Sequence, residues 1–142
     1  MNNKLSKRLI DIIEALPLGN GTRVLEIGCG PGAMAREISR RIGNGHILAI
    51  DRSAKAIKQA ISGSQAEIKD GKLSFRQSAI EEFELAPGER KFDLAVAVRV
   101  GALDGRHPEL AHQSLKQIAK ALTKKGKLYI DGGDPLKEIH VV

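Results

Sequence analysis

The sequence has one cysteine, Cys29, in 142 residues, so it cannot form a disulfide within the chain. A single thiol suits a reducing compartment, and we expect a cytoplasmic protein. Tryptophan is absent and aromatic residues make up only 3% of the chain. That scarcity disfavours single-strand nucleic-acid binding on stacked aromatic side chains. No apolar run approaches the ~20 residues of a membrane span. Charges interrupt the apolar pattern of the N-terminus, so we expect no secretory signal.

Net charge and histidine spacing further limit the classes of partner and ligand that we expect the protein to bind. The formal net charge is +6, which can attract nucleic acid or anionic metabolites. The basic residues are dispersed along the chain, a pattern more typical of a soluble surface, so nucleic acid is a possible but not favoured partner. Neither the four histidines nor Cys29 has metal-ligand spacing, and we predict no metal site.

Apolar periodicity predicts helices that alternate with strands. Helical spacing from Leu5 to Leu16 predicts an amphipathic first helix. A second helix, "AMAREISRRIG", should bury Met34, Ile38 and Ile42 and end at Gly43. The other predicted helices are "AKAIKQAI" with Ser53 as its N-cap, a short helix or turn in "AIEEFEL", and a long helix from Pro108 to Gly126. The polar segment "SGSQAEIKDG" is expected to turn or fray.

Five apolar runs predict strands, and they alternate with the helices in βαβ units. The runs are "RVLEIG", "HILAID", "KLSFRQS", "KFDLAVAVRV" and "KLYID". This order predicts an α/β fold whose mainly parallel sheet carries helices on both faces. We expect one domain over residues 1–142, with a helix and turn at 1–21, a core at 22–133 and a tail at 134–142.

A glycine-rich loop follows the first predicted strand. Gly28, Gly30 and Ala33 match the dinucleotide fingerprint G-x-G-x-x-G/A, and Gly32 adds a third glycine. Ligands of such folds lie beyond the carboxyl ends of the strands, at the switch point of the sheet. The match alone also fits a tight turn without a ligand.

Glu26 lies two residues before Gly28, at the end of the strand. Its carboxylate would repel the pyrophosphate of a dinucleotide and attract an ammonium group. S-adenosylmethionine (AdoMet) carries an ammonium on its methionine end and a sulfonium as well. Glu26 therefore favours AdoMet, although it can also be interpreted as a cap for the loop N–H groups.

Asp51 closes the second predicted strand, about twenty residues beyond the loop, where an acid binds ribose hydroxyls. AdoMet and NAD both contain this ribose, so Asp51 indicates an adenosine ligand without choosing between them. An alternative is that it caps the next helix.

The sequence resembles the class I AdoMet-dependent methyltransferases, which have a Rossmann-like fold. "VLEIGCGPG" is similar to their first motif, "AID" to the second, and the resemblance extends over residues 22–133. It implies that AdoMet is the cofactor and that the methionyl end is held by Glu26 and the backbone of the loop, which includes Gly28, Cys29, Gly30 and Gly32. It also implies Asp51 on the ribose, Arg52 beside the adenine, and the carbonyl near Arg99 on the amino group.

The sequence departs from the family pattern in two places. Ser78 and Ala79 stand where the family has an Asp before an Ala, and a neutral hydroxyl is a weaker acceptor for the adenine amine. Glu81 or Glu82 could compensate. The family sheet has two further strands, whereas here only a short tail follows "KLYID". We expect "EIHVV" to pair antiparallel with that strand, and a homodimer through the shortened edge is possible.

The resemblance implies that the reaction takes place at the loop after the fourth strand, which here reads "RVGALDGRHP". Asp104 and His107 are weak candidates for a base, and Arg99 and Arg106 either bind a carboxylate or phosphate of the substrate or are solvated. We expect methyl transfer to a small molecule. Alternatives are an AdoMet-binding module with little catalysis, an RNA or protein methyltransferase that needs a partner, and a nicotinamide-dependent enzyme.

Overall fold

The computed structural model describes residues 5–141, which contain one six-stranded sheet. The strands are β1 (Arg23–Ile27), β2 (His46–Asp51), β3 (Leu73–Gln77), β4 (Phe92–Ala97), β5 (Leu122–Asp131) and β6 (Leu136–Ile139). They lie in the order β3-β2-β1-β4-β5-β6. Strands β1 to β5 are parallel, and β6 runs antiparallel to β5. The predicted α/β fold and its antiparallel sixth strand are confirmed.

Helices cover both faces of the sheet. They are α1 (Lys7–Ala15), α2 (Ala33–Ser39), α3 (Ala54–Ser62), α4 (Gln65–Lys69) and α5 (Pro108–Ala121), with a 3₁₀ turn at Ile80–Glu82. Side chains from α1, α2 and α3 pack on one face, and those from the 3₁₀ turn and α5 pack on the other. No helix within residues 5–141 is long and apolar enough to cross a membrane.

Alternation along β1 decides which side chains reach which face. Val24 belongs to the apolar cluster beneath α1 and α2, and Leu25 and Ile27 belong to the cluster beneath α5. Because side chains alternate with a period of two, Glu26 projects to the same face as Val24. The strand is therefore buried on both faces, as is typical of a central parallel strand.

The sheet reverses its direction of growth between β1 and β4. Strands β2 and β3 extend it to one side of β1, while β4, β5 and β6 extend it to the other. The loops after β1 and β4 leave for opposite faces at this point, which opens a crevice at their carboxyl ends. The glycine-rich loop predicted as the ligand site lies there.

Two predicted helix ends were wrong. Helix α2 ends at Ser39 rather than at Gly43, although Met34, Ile38 and Ile42 are buried as predicted. The N–H of Arg41 donates to the carbonyl of Ile38 at 2.9 Å, a tighter bond that turns the chain before Gly43.

The long helix α5 ends at Ala121 rather than at Gly126. Leu122 pairs with Phe92 of β4 and is buried, so the chain has already entered β5. Next to this pair the β4–β5 register is irregular. A side chain on Gly126 would come within 2.9 Å of Leu122 Cβ. The pairing of Leu122 with β4 therefore replaces the helix at the point where the apolar pattern predicts that it continues.

The polar segment after α3 is more ordered than predicted. It forms the short helix α4, and Ser64 just before it is fully buried. In the tail, β6 begins two residues earlier than the predicted "EIHVV", and Val142 lies outside the described residues. His140 follows the strand instead of belonging to it. The predicted Ser53 N-cap is confirmed, since its hydroxyl accepts a hydrogen bond from the N–H of Ala56.

Candidate ligand-binding site at the switch point of the sheet

Two adjoining clefts open at the carboxyl ends of the strands. We call the first the β2 cleft; it has a volume of about 280 Å³, and its lining includes Asp51, Arg52, Ser78, Ala79, Glu81, Val100 and His107. The second, the α1 cleft, has a volume of about 310 Å³, and its lining includes Arg8, Glu26, Cys29, Gly30, Pro31 and Val98. Gly28 and Arg99 line both. Together the clefts reach the size range of ligand pockets, roughly 300–1,000 Å³.

The three loop glycines have different reasons to be glycine, although all have positive φ angles. A side chain on Gly28 would lie 2.8 Å from Val100, and one on Gly32 would crowd Phe75 and Ala60 at 3.1–3.2 Å. Nothing lies within 4 Å of the corresponding position on Gly30. Gly28 and Gly32 are therefore required by packing, whereas Gly30 borders open space that a ligand can occupy.

Asp51 holds the loop from the neighbouring strand. Its Oδ2 accepts a hydrogen bond from the N–H of Gly30 at 2.9 Å, and its Oδ1 accepts one from the N–H of Ser53 at 2.9 Å. The carboxylate thus does cap the start of α3, the alternative considered from the sequence. An ionised carboxylate has about four acceptor positions, so it can also accept hydrogen bonds from two hydroxyls in the β2 cleft.

Sequence analysis missed Arg36, which supports the loop from beneath. Its side chain is buried, and Nη1 donates to the carbonyl of Pro31 and to the hydroxyl of Ser64, both at 3.0 Å. These bonds connect the loop to the segment between α3 and α4. A basic residue between the inward-facing Met34 and Ile38 of α2 is the signal that could have revealed it.

Glu26 is the most unusual group of the site. It is 3% exposed, and its Oε1 has no hydrogen-bond partner among the described residues. Burial, and secondarily the charge of Asp51, raises the pKa of Glu26 to about 8, against the opposing charge of Arg36. The structure does not place loop N–H groups on Oε1, so the capping alternative does not account for that oxygen. A buried acceptor without a donor calls for an explanation, and here it lines a cleft.

The predicted pair Ser78 and Ala79 lines the β2 cleft. The Ser78 hydroxyl donates to the carbonyl of Ala79 at 2.9 Å, which leaves its lone pairs available as acceptors. Arg52 lies beside them, with Nη2 at 3.7 Å from a carboxylate oxygen of Glu81. Glu81, named from the sequence as a possible substitute acceptor, lines the same cleft, whereas Glu82 does not.

Arg99 lies just beyond β4, where the two clefts meet. Its N–H donates to Oδ1 of Asp131 at 3.0 Å, and its carbonyl accepts a hydrogen bond from Nη2 of Arg106 at 2.7 Å. Asp131 ends β5 and also pairs with Arg8 of α1 at 2.8 Å. Sequence analysis did not single out Asp131, although an acid at a strand end is the signal that identified Glu26 and Asp51.

The two weak candidates for a base differ in position. Asp104 lines neither cleft and pairs with Arg106 at 2.8 Å. The hydrogen bonds from Arg106 hold the pKa of Asp104 below its usual range. His107 lines the β2 cleft and lies against Gly101. The geometry brings His107, and not Asp104, to the clefts.

The remaining candidates from the sequence are the histidines and the thiol of Cys29. Within residues 5–141 no group of three or more His, Cys, Asp or Glu side chains is placed to hold a metal ion. Cys29 is buried in the loop, and burial, followed by the charges of Glu26 and Asp51, raises the pKa of its thiol. The thiol is therefore neutral and contributes its small size.

Known proteins share this architecture. Over 93 residues, 66% of this chain, the sequence is 29% identical to protein-lysine N-methyltransferase EFM4 of Saccharomyces cerevisiae and covers 40% of that protein. The structure of phosphoethanolamine N-methyltransferase 2 from Haemonchus contortus with S-adenosyl-L-methionine is similar, with a TM-score of 0.72, 24% identity, and coverage of 91% of this chain and 29% of that one.

A methyltransferase from Thiobacillus denitrificans in complex with S-adenosyl-L-homocysteine has a TM-score of 0.68 and 23% identity, and the match covers 91% of this chain and 49% of that one. The chain thus spans half or less of the length of these relatives. A family model described as a methyltransferase domain matches residues 18–140. The chain belongs to this family of methyltransferase domains.

Proposed function

We propose that the protein binds AdoMet across the two clefts and transfers its methyl group to a small molecule. The observation that carries the proposal is Glu26, a buried carboxylate with an unpartnered oxygen that lines a cleft beside the glycine loop. A cationic ligand group stabilises the ionised form of Glu26 and supplies the missing partner, whereas a pyrophosphate is repelled by that ionised form in a poorly solvated place. Of the two structural neighbours named above, one is bound to S-adenosyl-L-methionine and the other to S-adenosyl-L-homocysteine, and both complexes support the same ligand.

The residues present fit the two ends of AdoMet. Asp51 has acceptor positions left for ribose hydroxyls, and Ser78 has an acceptor for the adenine amine in the β2 cleft. Glu26 would receive the ammonium group in the α1 cleft. The Arg99 carbonyl, expected from the family resemblance to help, already accepts a hydrogen bond from Arg106, and a carbonyl oxygen can accept a second one.

Bound AdoMet would supply a methyl group on a sulfonium, which an acceptor can attack in line. The protein then contributes mainly orientation, because the reaction needs a base only where the acceptor must lose a proton. His107 is the one candidate base that lines a cleft, and Asp104 is disfavoured by its pairing with Arg106. The open space beside Gly30 would admit the ligand, and the loop, fixed by the hydrogen bond to Asp51, would hold it without a change of loop conformation.

A protein acceptor is the second candidate, because the yeast relative is named a protein-lysine N-methyltransferase. Strand β6 is the edge strand of the described sheet, and a partner or a second copy can add a substrate surface beside it. A homodimer and a cytoplasmic location stay predictions. Incubation with labelled AdoMet and either a metabolite extract or denatured cell protein separates the candidates. A labelled small molecule other than AdoMet supports the first, and label found only in protein and in unreacted AdoMet supports the second.

Calorimetric titration with AdoMet, S-adenosylhomocysteine and NAD tests the proposed ligand. We expect AdoMet and S-adenosylhomocysteine to bind at least about 100-fold more tightly than NAD, a difference of about 2.8 kcal/mol. Glu26→Gln should weaken AdoMet binding. Its matched control is Glu37→Gln, because Glu37 is a carboxylate of α2 that pairs with Arg40 and Arg41 away from both clefts. NAD binding as tight as AdoMet binding would contradict the proposal.

A further inference from the structure

The Arg99 guanidinium has no polar partner within the described structure. The guanidinium groups of Arg8 and Arg106 pair with Asp131 and Asp104, each at 2.8 Å. That of Arg99 makes no hydrogen bond or ion pair with any residue in 5–141, although it lines both clefts. The two neighbouring arginines are paired with carboxylates, so the Arg99 guanidinium is a positive charge without an ion-pair partner among the described residues, at the place where the clefts meet.

The backbone of Arg99 shows that an arginine is not needed for the turn itself. Its φ is +57°, and it is the only non-glycine residue with positive φ among the described residues. Hydrogen bonds on both sides, to Asp131 and from Arg106, fix this conformation. Glycine adopts it without strain, so the turn would favour glycine. Strained residues held in this way concentrate where a side chain has a functional position.

The position of the charge points to the ligand it would receive. If AdoMet extends from the β2 cleft to the α1 cleft, as proposed above, its sulfonium passes between them, near Gly28 and Arg99. Two cations placed close together repel each other in a partly dry site. An anion seated beside both is attracted by each, and a guanidinium binds carboxylate and phosphate oxygens in a two-pronged geometry.

We propose that Arg99 binds a carboxylate or phosphate group on the methyl acceptor and thereby selects anionic small molecules. This inference rests on the proposed function, because it requires AdoMet to occupy both clefts. It disfavours an acceptor that presents a free ammonium group at this position.

The experiment uses protein saturated with S-adenosylhomocysteine and three small probes followed by NMR titration. Benzoate and phenyl phosphate are anionic, and benzamide is the neutral counterpart of benzoate. We expect one or both anions to bind at least tenfold more tightly than benzamide and to shift the amide signals of Gly28 and Val100. The stronger of the two anions identifies the group that the acceptor carries.

Variants assign this preference to the side chain. Arg99→Gln should reduce anion affinity about tenfold and leave benzamide binding unchanged, and Arg99→Lys should restore part of the loss. Arg41→Gln is the control, because Arg41 is an arginine paired with Glu37 outside both clefts, and it should change nothing.

Three results would overturn the inference: equal binding of benzoate, phenyl phosphate and benzamide, an anion preference that survives in Arg99→Gln, or a tenfold loss of AdoMet affinity in that variant. The last would assign the guanidinium to the carboxylate of AdoMet itself. If the wild-type protein fails to bind S-adenosylhomocysteine or AdoMet at all, the proposed function fails before this test begins, so the two failures are distinguishable.

Discussion

Ionisation of Glu26 should make AdoMet binding depend on pH. In the unliganded protein burial raises the pKa of Glu26 to about 8, so the neutral acid predominates at pH 7. An ammonium ligand needs the ionised carboxylate, and binding should therefore release a proton. One pKa unit corresponds to about 1.4 kcal/mol, which is the approximate cost of ionising Glu26 at pH 7 before the ligand attraction offsets it.

The size of this pH dependence of AdoMet affinity follows from proton linkage. Below the pKa of Glu26 in the unliganded protein, AdoMet affinity should rise about tenfold per pH unit, and the rise should level off near pH 8. The clean interval is pH 6 to 7, below the range in which an α-amino group itself titrates, about 7.7–8.0. Near pH 7 binding should release close to one proton per AdoMet molecule.

Calorimetry in two buffers with different ionisation enthalpies measures both the AdoMet affinity and the number of protons released on binding. Glu26→Gln is the test variant, and it should bind AdoMet more weakly, with no proton release and with a constant affinity between pH 6 and 7. Glu37→Gln should behave as the wild type does. Wild-type binding without proton release and with constant affinity over this interval would show that Glu26 does not receive the cationic group.

The remaining predictions concern stability and the other half of the ligand. The folded-state pKa of Glu26 lies above its usual value of 4.5, so the stability that Glu26 contributes is present below pH 4.5 and is lost as pH rises through 8. Glu26→Gln should therefore raise the free energy of unfolding by a few kcal/mol at pH 8 and by much less at pH 5. Urea denaturation of the unliganded protein measures this difference. Asp51→Asn should weaken AdoMet and adenosine equally, by about 1.5–3 kcal/mol, in calorimetric titration, and an unchanged adenosine affinity would remove Asp51 from the ribose site. Gly32→Ala should cost about 1–3 kcal/mol more stability than Gly30→Ala in urea denaturation, because only Gly32 faces packed side chains, and equal losses would contradict that packing argument.

The sequence was most informative where a single periodicity decided the structure. Strand β2 matches the predicted "HILAID" residue for residue, and the alternation in β1 directs Glu26 to the face beneath α1 and α2. Local patterns were least informative at helix ends, because tertiary contacts decided them. The Leu122–Phe92 strand pair ended α5 early, and no local pattern in "ALTKKG" reveals that pairing.

The acids of the site were predictable, but the side-chain network around them was only partly so. Glu26 and Asp51 follow from the rule that ligands lie at strand ends, and Asp131 would have followed from the same rule. Arg36 and the pairing of Arg8 with Asp131 connect segments distant in sequence, and they depend on how helices pack over the sheet. His107 lines a cleft and Asp104 does not, although they are only three residues apart, and this difference likewise comes from the fold of the loop.

The most direct test of the account compares the affinities of AdoMet and adenosine in the wild type and in Glu26→Ala. The wild type should prefer AdoMet strongly, and the variant should lose most of that preference while binding adenosine as before. An equal loss for both ligands would mean that the buried carboxylate does not recognise the amino-acid end of AdoMet.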